Sequence, residues 1–253
     1  MKESQAVVQR VRLLGQNTRH KQLELAVTKS LHDILPGQCL LVRPKAMRTA
    51  RVWHPYLRQV WYPVHVSSKL VWVNVSDDMR YDPGDVFDVV GPVGQPFQYR
   101  RTLRKVLLLA YNTPPLPLLM AVPQLLGNNV GVTLVLLGTA ADYPTANLPP
   151  EVEIVKGTDP DNPLDWPDQV VTIGWADQVF TVVRPGDEVA QFSQVWNLFQ
   201  QRQADIEANY LFGVFQSVLP CGVGACQACL LHTRDGHWLA CTDGPALDLS
   251  RFF

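Results

Sequence analysis

Neither sign of charge prevails in this chain. Twenty-two Lys and Arg offset 23 Asp and Glu, leaving a net charge of −1. It therefore lacks the basic footprint that nucleic acid or an anionic membrane surface requires. The pairs Arg100-Arg101 and Arg104-Lys105 read as a solvated edge before a buried strand. No apolar run nears the ~20 residues of a membrane span. The longest runs, 106–110 and 130–137, read as buried strands. Catalytic motifs are missing as well: no G-x-S-x-G, H-E-x-x-H or Walker sequence occurs. The histidines, His20, His32, His54, His65, His232 and His237, are dispersed without metal-ligand spacing, and His232 and His237 each read as a surface residue. There is no internal repeat, no low-complexity tract and no secretory segment, so the expectation is a cytoplasmic protein in a reducing compartment.

Cysteine is nearly absent until the end. Of five, four lie in the last 33 residues: Cys221, Cys226, Cys229 and Cys241. The fifth, Cys39, sits in the apolar run Gln38-Cys39-Leu40-Leu41-Val42 and reads as a small buried hydrophobe. The four form C-x4-C-x2-C, then eleven residues, then C. That is the plant-type spacing for a [2Fe-2S] cluster held by four thiolates. Gly222 and Gly224 permit the tight wrap such a loop needs, and Ala225 and Ala228 keep it thin. Amides turned toward the sulfurs would stabilise an added electron. Two other readings remain open. A structural zinc site usually has two paired knuckles, and here there is one C-x-x-C. Two disulfides would suit a small secreted domain.

Twenty prolines and sixteen glycines imply many turns. Residues 1–99 read as an antiparallel β-barrel, with strands at 5–14, 22–28, 38–43, 59–66, 69–75 and 86–90. Residues 100–210 alternate strand and helix. Strands are expected at 105–110, 130–137, 152–155, 169–174 and 178–183, and helices at 117–126 and 189–208. This gives a small parallel α/β domain of the nucleotide-binding kind. Residues 211–253 form the [2Fe-2S] lobe, with too little apolar material for a core of its own, so that metal supplies much of its folding energy.

The order barrel, parallel α/β sheet, cysteine lobe resembles the electron transfer subunit of NAD-dependent dihydroorotate dehydrogenase, within the ferredoxin–NADP reductase-like superfamily. The resemblance spans nearly the whole chain and is closest at Pro220-Cys221-Gly222-Val223-Gly224-Ala225-Cys226-Gln227-Ala228-Cys229 and Cys241-Thr242-Asp243-Gly244-Pro245. Pro36-Gly37-Gln38 and Gly91-Pro92-Val93-Gly94-Gln95-Pro96-Phe97 also resemble family segments. It implies FAD on the barrel, NAD(H) on the α/β domain, and a cluster passing electrons to a catalytic flavoprotein subunit, hence a hetero-oligomer serving pyrimidine biosynthesis.

The family's flavin signature, Arg-Pro-Phe/Tyr-Ser, corresponds here to Arg58-Gln59-Val60-Trp61-Tyr62-Pro63-Val64. Tyr62 takes the aromatic position and Arg58 stands in as phosphate partner, so these are the FAD-binding candidates. Pro63 and Val60 replace the family's Ser and Arg, and Ser76-Asp77-Asp78-Met79-Arg80 replaces its Gly-Thr turn with an acidic pair. The family's glycine-rich phosphate turn has become Ala110-Tyr111-Asn112-Thr113-Pro114-Pro115-Leu116-Pro117, in which three prolines remove three amide donors. NAD(H) is therefore not expected to bind in the family's way. The sequence predicts an electron-carrying component rather than a complete catalyst. The alternative is a structural or regulatory paralogue, whose cluster stabilises a partner interface without redox turnover.

Overall fold

A computed structural model describes residues 2–15, 20–45, 57–76, 79–157, 159, 161–203 and 205–253. The Asp77-Asp78 pair and His54 lie outside the described residues. The first half builds seven antiparallel strands: β1 (Lys2–Leu13), β2 (His20–Val27), β3 (Cys39–Pro44), β4 (Gln59–Trp61), β5 (Pro63–Val66), β6 (Leu70–Ser76) and β7 (Val86–Val93). Their order is β4-β3-β7-β1-β2-β6-β5. The two edge strands, β4 and β5, are consecutive in the chain, with only Tyr62 between them. One residue reaches only about 3.5 Å, so both edges must meet there and the sheet curls into a near-barrel. The run 59–66, expected as one strand, is thus two strands that belong to opposite edges. Strand β7 alternates half-buried and buried residues along its length, as a sheet with one face on a core should. Leu23, Leu25, Leu40, Val71, Val73 and Val89 fill that core.

The second sheet has the order β10-β9-β8-β11-β12-β15. Its strands are β8 (Lys105–Tyr111), β9 (Gly131–Leu137), β10 (Glu153–Gly157), β11 (Gln178–Val183), β12 (Leu211–Val214) and β15 (Ala246–Asp248). All neighbours are parallel except β12 and β15. Strands β8, β9 and β11 are buried along nearly their whole length, as a sheet covered on both faces demands. Helices α1 (Leu116–Leu119) and α2 (Ala121–Gly127) follow β8, and α4 (Glu188–Arg202) follows β11. Helix α4 buries Phe192, Val195, Trp196 and Phe199 on one face, as its spacing predicts. It ends at Arg202 rather than 208.

Residues 169–174, expected as a strand, begin helix α3 (Gln169–Trp175). The buried residues are Gln169 and Ile173, four apart, while Val170 and Val171 stand exposed. That is helical periodicity. The connection from β10 to the parallel β11 also calls for a helical crossover.

The cysteine lobe is inserted between β12 and β15, both strands of the central sheet. Its only regular element is the hairpin of β13 (Leu230–Thr233) and β14 (Gly236–Leu239). As expected, it has no separate core. Trp238, Leu219, Ala240, Cys229 and Cys241 join a cluster with Phe192, Trp196 and Phe199 of α4. Trp238 packs on Phe215, and Trp196 on Phe253. The lobe therefore leans on the central sheet as well as on anything its thiols hold.

Candidate metal centre

The hairpin explains how two distant cysteines meet. Its register pairs Leu230 with Leu239, and one step further the Ala240 amide donates to the Cys229 carbonyl at 3.2 Å. Cys229 and Cys241 thus lie side by side at its open end. Asp243 holds the turn after Cys241 by accepting from the Leu239 amide at 2.8 Å. Cys221 and Cys226 come from the loop before the hairpin, where Gly222 and Gly224 have φ of 69° and 75°. These left-handed values suit glycine and turn amides toward sulfur. The Val223 and Cys226 amides donate to Cys221 Sγ at 3.5 Å, and the Gly224 amide to Cys241 Sγ at 3.1 Å.

The four thiols meet two by two, Cys221 with Cys226 and Cys229 with Cys241, and Cys221 lies near enough to Cys241 for its charge to raise that thiol. Among the described residues, no three His, Cys, Asp or Glu side chains converge as one ion requires. The amides of Val223 and Cys226 pull the Cys221 thiol down to about 7, so a thiolate is at hand at neutral pH. Burial, then a hydrogen bond with Cys229, pushes Cys241 up; a metal would have to displace its proton. Cys229 and Cys241 are buried and Cys226 is exposed, so the centre they frame would be open on the Cys226 side. Four sulfurs in two pairs with amides aimed at them fit a two-iron cluster.

Cys39 is buried, as expected. It also shares a packed cluster with Cys229 and Cys241, and Cys241 adds to burial in raising its thiol to about 12. His232 and His237 are exposed, as expected, and face each other across the hairpin with ring centres 4.8 Å apart.

The flavin candidates are placed differently. Arg58 donates to the exposed Glu3 carboxylate at 2.9 Å and to the Asp88 carbonyl at 3.2 Å, which engages its guanidinium at the barrel surface. Tyr62 packs against the cluster shared by the central sheet and the lobe. Its hydroxyl is pushed well above the ordinary range by burial, then by Cys39 and Glu188. A cavity of about 210 Å³ between barrel and α/β domain is lined by Gln22, His65, Asn74, Tyr143 and Asn147 among apolar residues, with no Lys or Arg. The Arg58 guanidinium is taken up by Glu3 and Asp88, and this cavity carries no Lys or Arg, so neither presents a free cation to a pyrophosphate.

Sequence reasoning missed Glu188 and Gln216. They meet across 28 residues, the Gln216 amide donating to the Glu188 carboxylate, and no local signal announces the pair. Burial raises the Glu188 carboxyl above its usual 4.5, and the Gln216 amide offsets part of that. A carboxyl raised in the folded chain stabilises that chain fully below the unfolded value. The stability is lost as pH climbs through the folded value. Glu188→Gln keeps an acceptor oxygen and removes the charge. Its denaturation midpoint is expected to fall less than the wild type's between weakly acidic and alkaline pH; parallel slopes would refute the assignment.

Comparisons with known proteins agree with this geometry. Residues 216–252 match the family model described as the iron-sulfur cluster binding domain of dihydroorotate dehydrogenase B. The chain is 23% identical over 170 residues to the electron transfer subunit of dihydroorotate dehydrogenase B (NAD(+)) from Clostridium perfringens (strain 13 / Type A), a match covering 65% of each chain. The chain thus spans just under two-thirds of that relative's length. Among solved structures it is similar to an NADH-dependent reduced ferredoxin-NADP oxidoreductase, at 15% identity and a TM-score of 0.72, covering 97% of this chain and 88% of that one. A ferredoxin reductase in carbazole 1,9a-dioxygenase aligns with a TM-score of 0.58 and 15% identity, covering 79% and 66%. The chain is therefore like the electron transfer subunit of dihydroorotate dehydrogenase B, with a ferredoxin-reductase-like fold and a segment, residues 216–252, that matches the model of that enzyme's iron-sulfur cluster binding domain.

Proposed function

We propose that the chain is an electron carrier in which Cys221, Cys226, Cys229 and Cys241 hold a [2Fe-2S] cluster, and that it serves a catalytic flavoprotein partner, as in dihydroorotate dehydrogenase. The observation that carries this reading is the pairing of the thiols two by two under inward-turned amides, within a segment matching an iron-sulfur domain. When bound, the cluster takes up and returns one electron at a time. The amides of Val223, Gly224 and Cys226 lie against the sulfurs and stabilise added negative charge. Cys229 and Cys241 keep water from one side, while Cys226 and the exposed Val223 form the side a partner would approach. Neither FAD nor NAD(H) enters the proposal, because Arg58 is engaged with Glu3 and Asp88 and the phosphate turn carries three prolines.

Iron, sulfide, zinc and flavin measured in one anaerobic preparation test this. The expected result is iron and sulfide in equal amounts, visible bands that bleach on reduction, and neither zinc nor flavin. Stoichiometric zinc without sulfide would overturn it. The burial of Cys229 and Cys241 in a core shared with α4 favours a second reading, in which the cluster staples a partner interface. The two part on reversibility: a relay survives repeated reduction and reoxidation with its iron intact, whereas a staple need not.

A further inference from the structure

Ligands of open parallel sheets bind beyond the carboxyl ends of the strands, where the strand order reverses. Here that point lies between β8 and β11: the sheet continues to β9 and β10 on one side and to β12 on the other. The chain's own side chains stand in this crevice. Gln216, just past β12, turns its carboxamide across it. Its Nε2 donates to the carbonyl of Val183, the last residue of β11, at 2.9 Å, and to Thr113 Oγ1, just past β8, at 3.3 Å. Its backbone amide is fastened to Glu188 in the first turn of α4. Thr113 is buried, as is Tyr111 at the end of β8. The segment that follows β8 carries Pro114, Pro115 and, inside the four-residue helix α1, Pro117, none of which offers an amide to a phosphate.

We propose that Gln216 is a built-in occupant of the crevice and that pyridine dinucleotides are thereby shut out. Its side chain ends in a primary carboxamide, the same group a nicotinamide ring carries, and it already holds the Val183 carbonyl and the Thr113 hydroxyl. The chain then cannot accept hydride from a nicotinamide cofactor. This inference stands whether or not the lobe carries iron, so its failure would leave the cluster proposal untouched.

Anaerobic calorimetric and fluorescence titrations of the holoprotein with NADH and NAD+ are the test. Wild type is expected to show no saturable binding. Gln216→Ala, checked for an unchanged visible spectrum and melting point, should bind NADH about tenfold or more tighter than the wild-type limit, as removal of a competitor held by two neutral hydrogen bonds predicts. Saturable micromolar binding to wild type would overturn the proposal. Absence of binding to both proteins would overturn the role of Gln216 and shift the exclusion to the prolines. If Gln216→Ala does not fold, the side-chain amide resonance of Gln216 in wild type decides: it should stay fixed as NADH is added, and a saturable shift refutes the occupancy.

Discussion

Cys241→Ser is expected to abolish the visible chromophore, release the iron and sulfide, and loosen the lobe from Phe215 to Gly244. Cys241 is buried and accepts from the Gly224 amide, and the segment 221–229 contains no helix or strand. Without metal, little fixes that loop apart from a hairpin of two four-residue strands and contacts borrowed from α4. In small metal domains binding free energy is largely folding free energy, on the order of 10 kcal/mol. The shared core retains part of the stability here, so the loss should be smaller, roughly 3–5 kcal/mol, with the range set by removing one partner of a buried polar group and leaving the rest unpaired. Cys226→Ser should release the cluster equally and disturb the remaining fold less, because Cys226 is exposed. Cys39→Ser is the control and should retain iron. Calorimetry with iron and sulfide determination reads all three. A Cys241→Ser protein with full iron and sulfide would remove Cys241 from the ligand set.

Why the gathering of the four cysteines could be read from sequence while the crevice could not follows from range. Cys221 to Cys229 is a local pattern, and a glycine-rich loop between cysteines has few uses. The barrel strands were legible because alternation survives in one dimension, as along β7. Residues 169–174 misled because β-branched Val170, Val171, Thr172 and Ile173 favour strand locally. The tertiary context prevailed: only Ile173 of these is buried in the core, and the Thr172 hydroxyl donates to the Asp168 carbonyl one turn back. Tyr62 as the meeting point of two sheet edges, Arg58 tied to Glu3 across 55 residues, and Gln216 reaching Thr113 across 103 are pairings that no window reports. The resemblance to a flavin- and nucleotide-binding family predicted the scaffold well. It said less about the site, since fold and site are separable.

Gly94→Ala should destabilise the protein by about 2–5 kcal/mol, combining backbone strain with overpacking, through a joint between the barrel and the segment that follows Cys241. Gly94 has φ of 89°, a conformation that strains any residue with a Cβ. An added Cβ would also sit 2.9 Å from the Gly244 carbonyl and 3.2 Å from Pro245 Cδ. The neighbours cannot easily yield, because Gln95 donates its backbone amide to that same carbonyl and its side-chain amide to the Thr242 carbonyl at 2.8 Å. Gly84→Ala separates the two causes. Gly84 has φ of 93°, yet a Cβ there meets nothing within 4 Å, so its cost is strain alone. The excess of Gly94→Ala over Gly84→Ala, about 1–3 kcal/mol, measures the joint. Hydrogen exchange should quicken at residues 239–245 in Gly94→Ala and not in Gly84→Ala. Because these residues carry Cys241, loosening them admits water beside a buried sulfur and should shift the midpoint potential of the proposed cluster as well. Equal destabilisation by the two substitutions, with unchanged exchange at 239–245, would show that the barrel and the cysteine lobe do not bear on each other at this point.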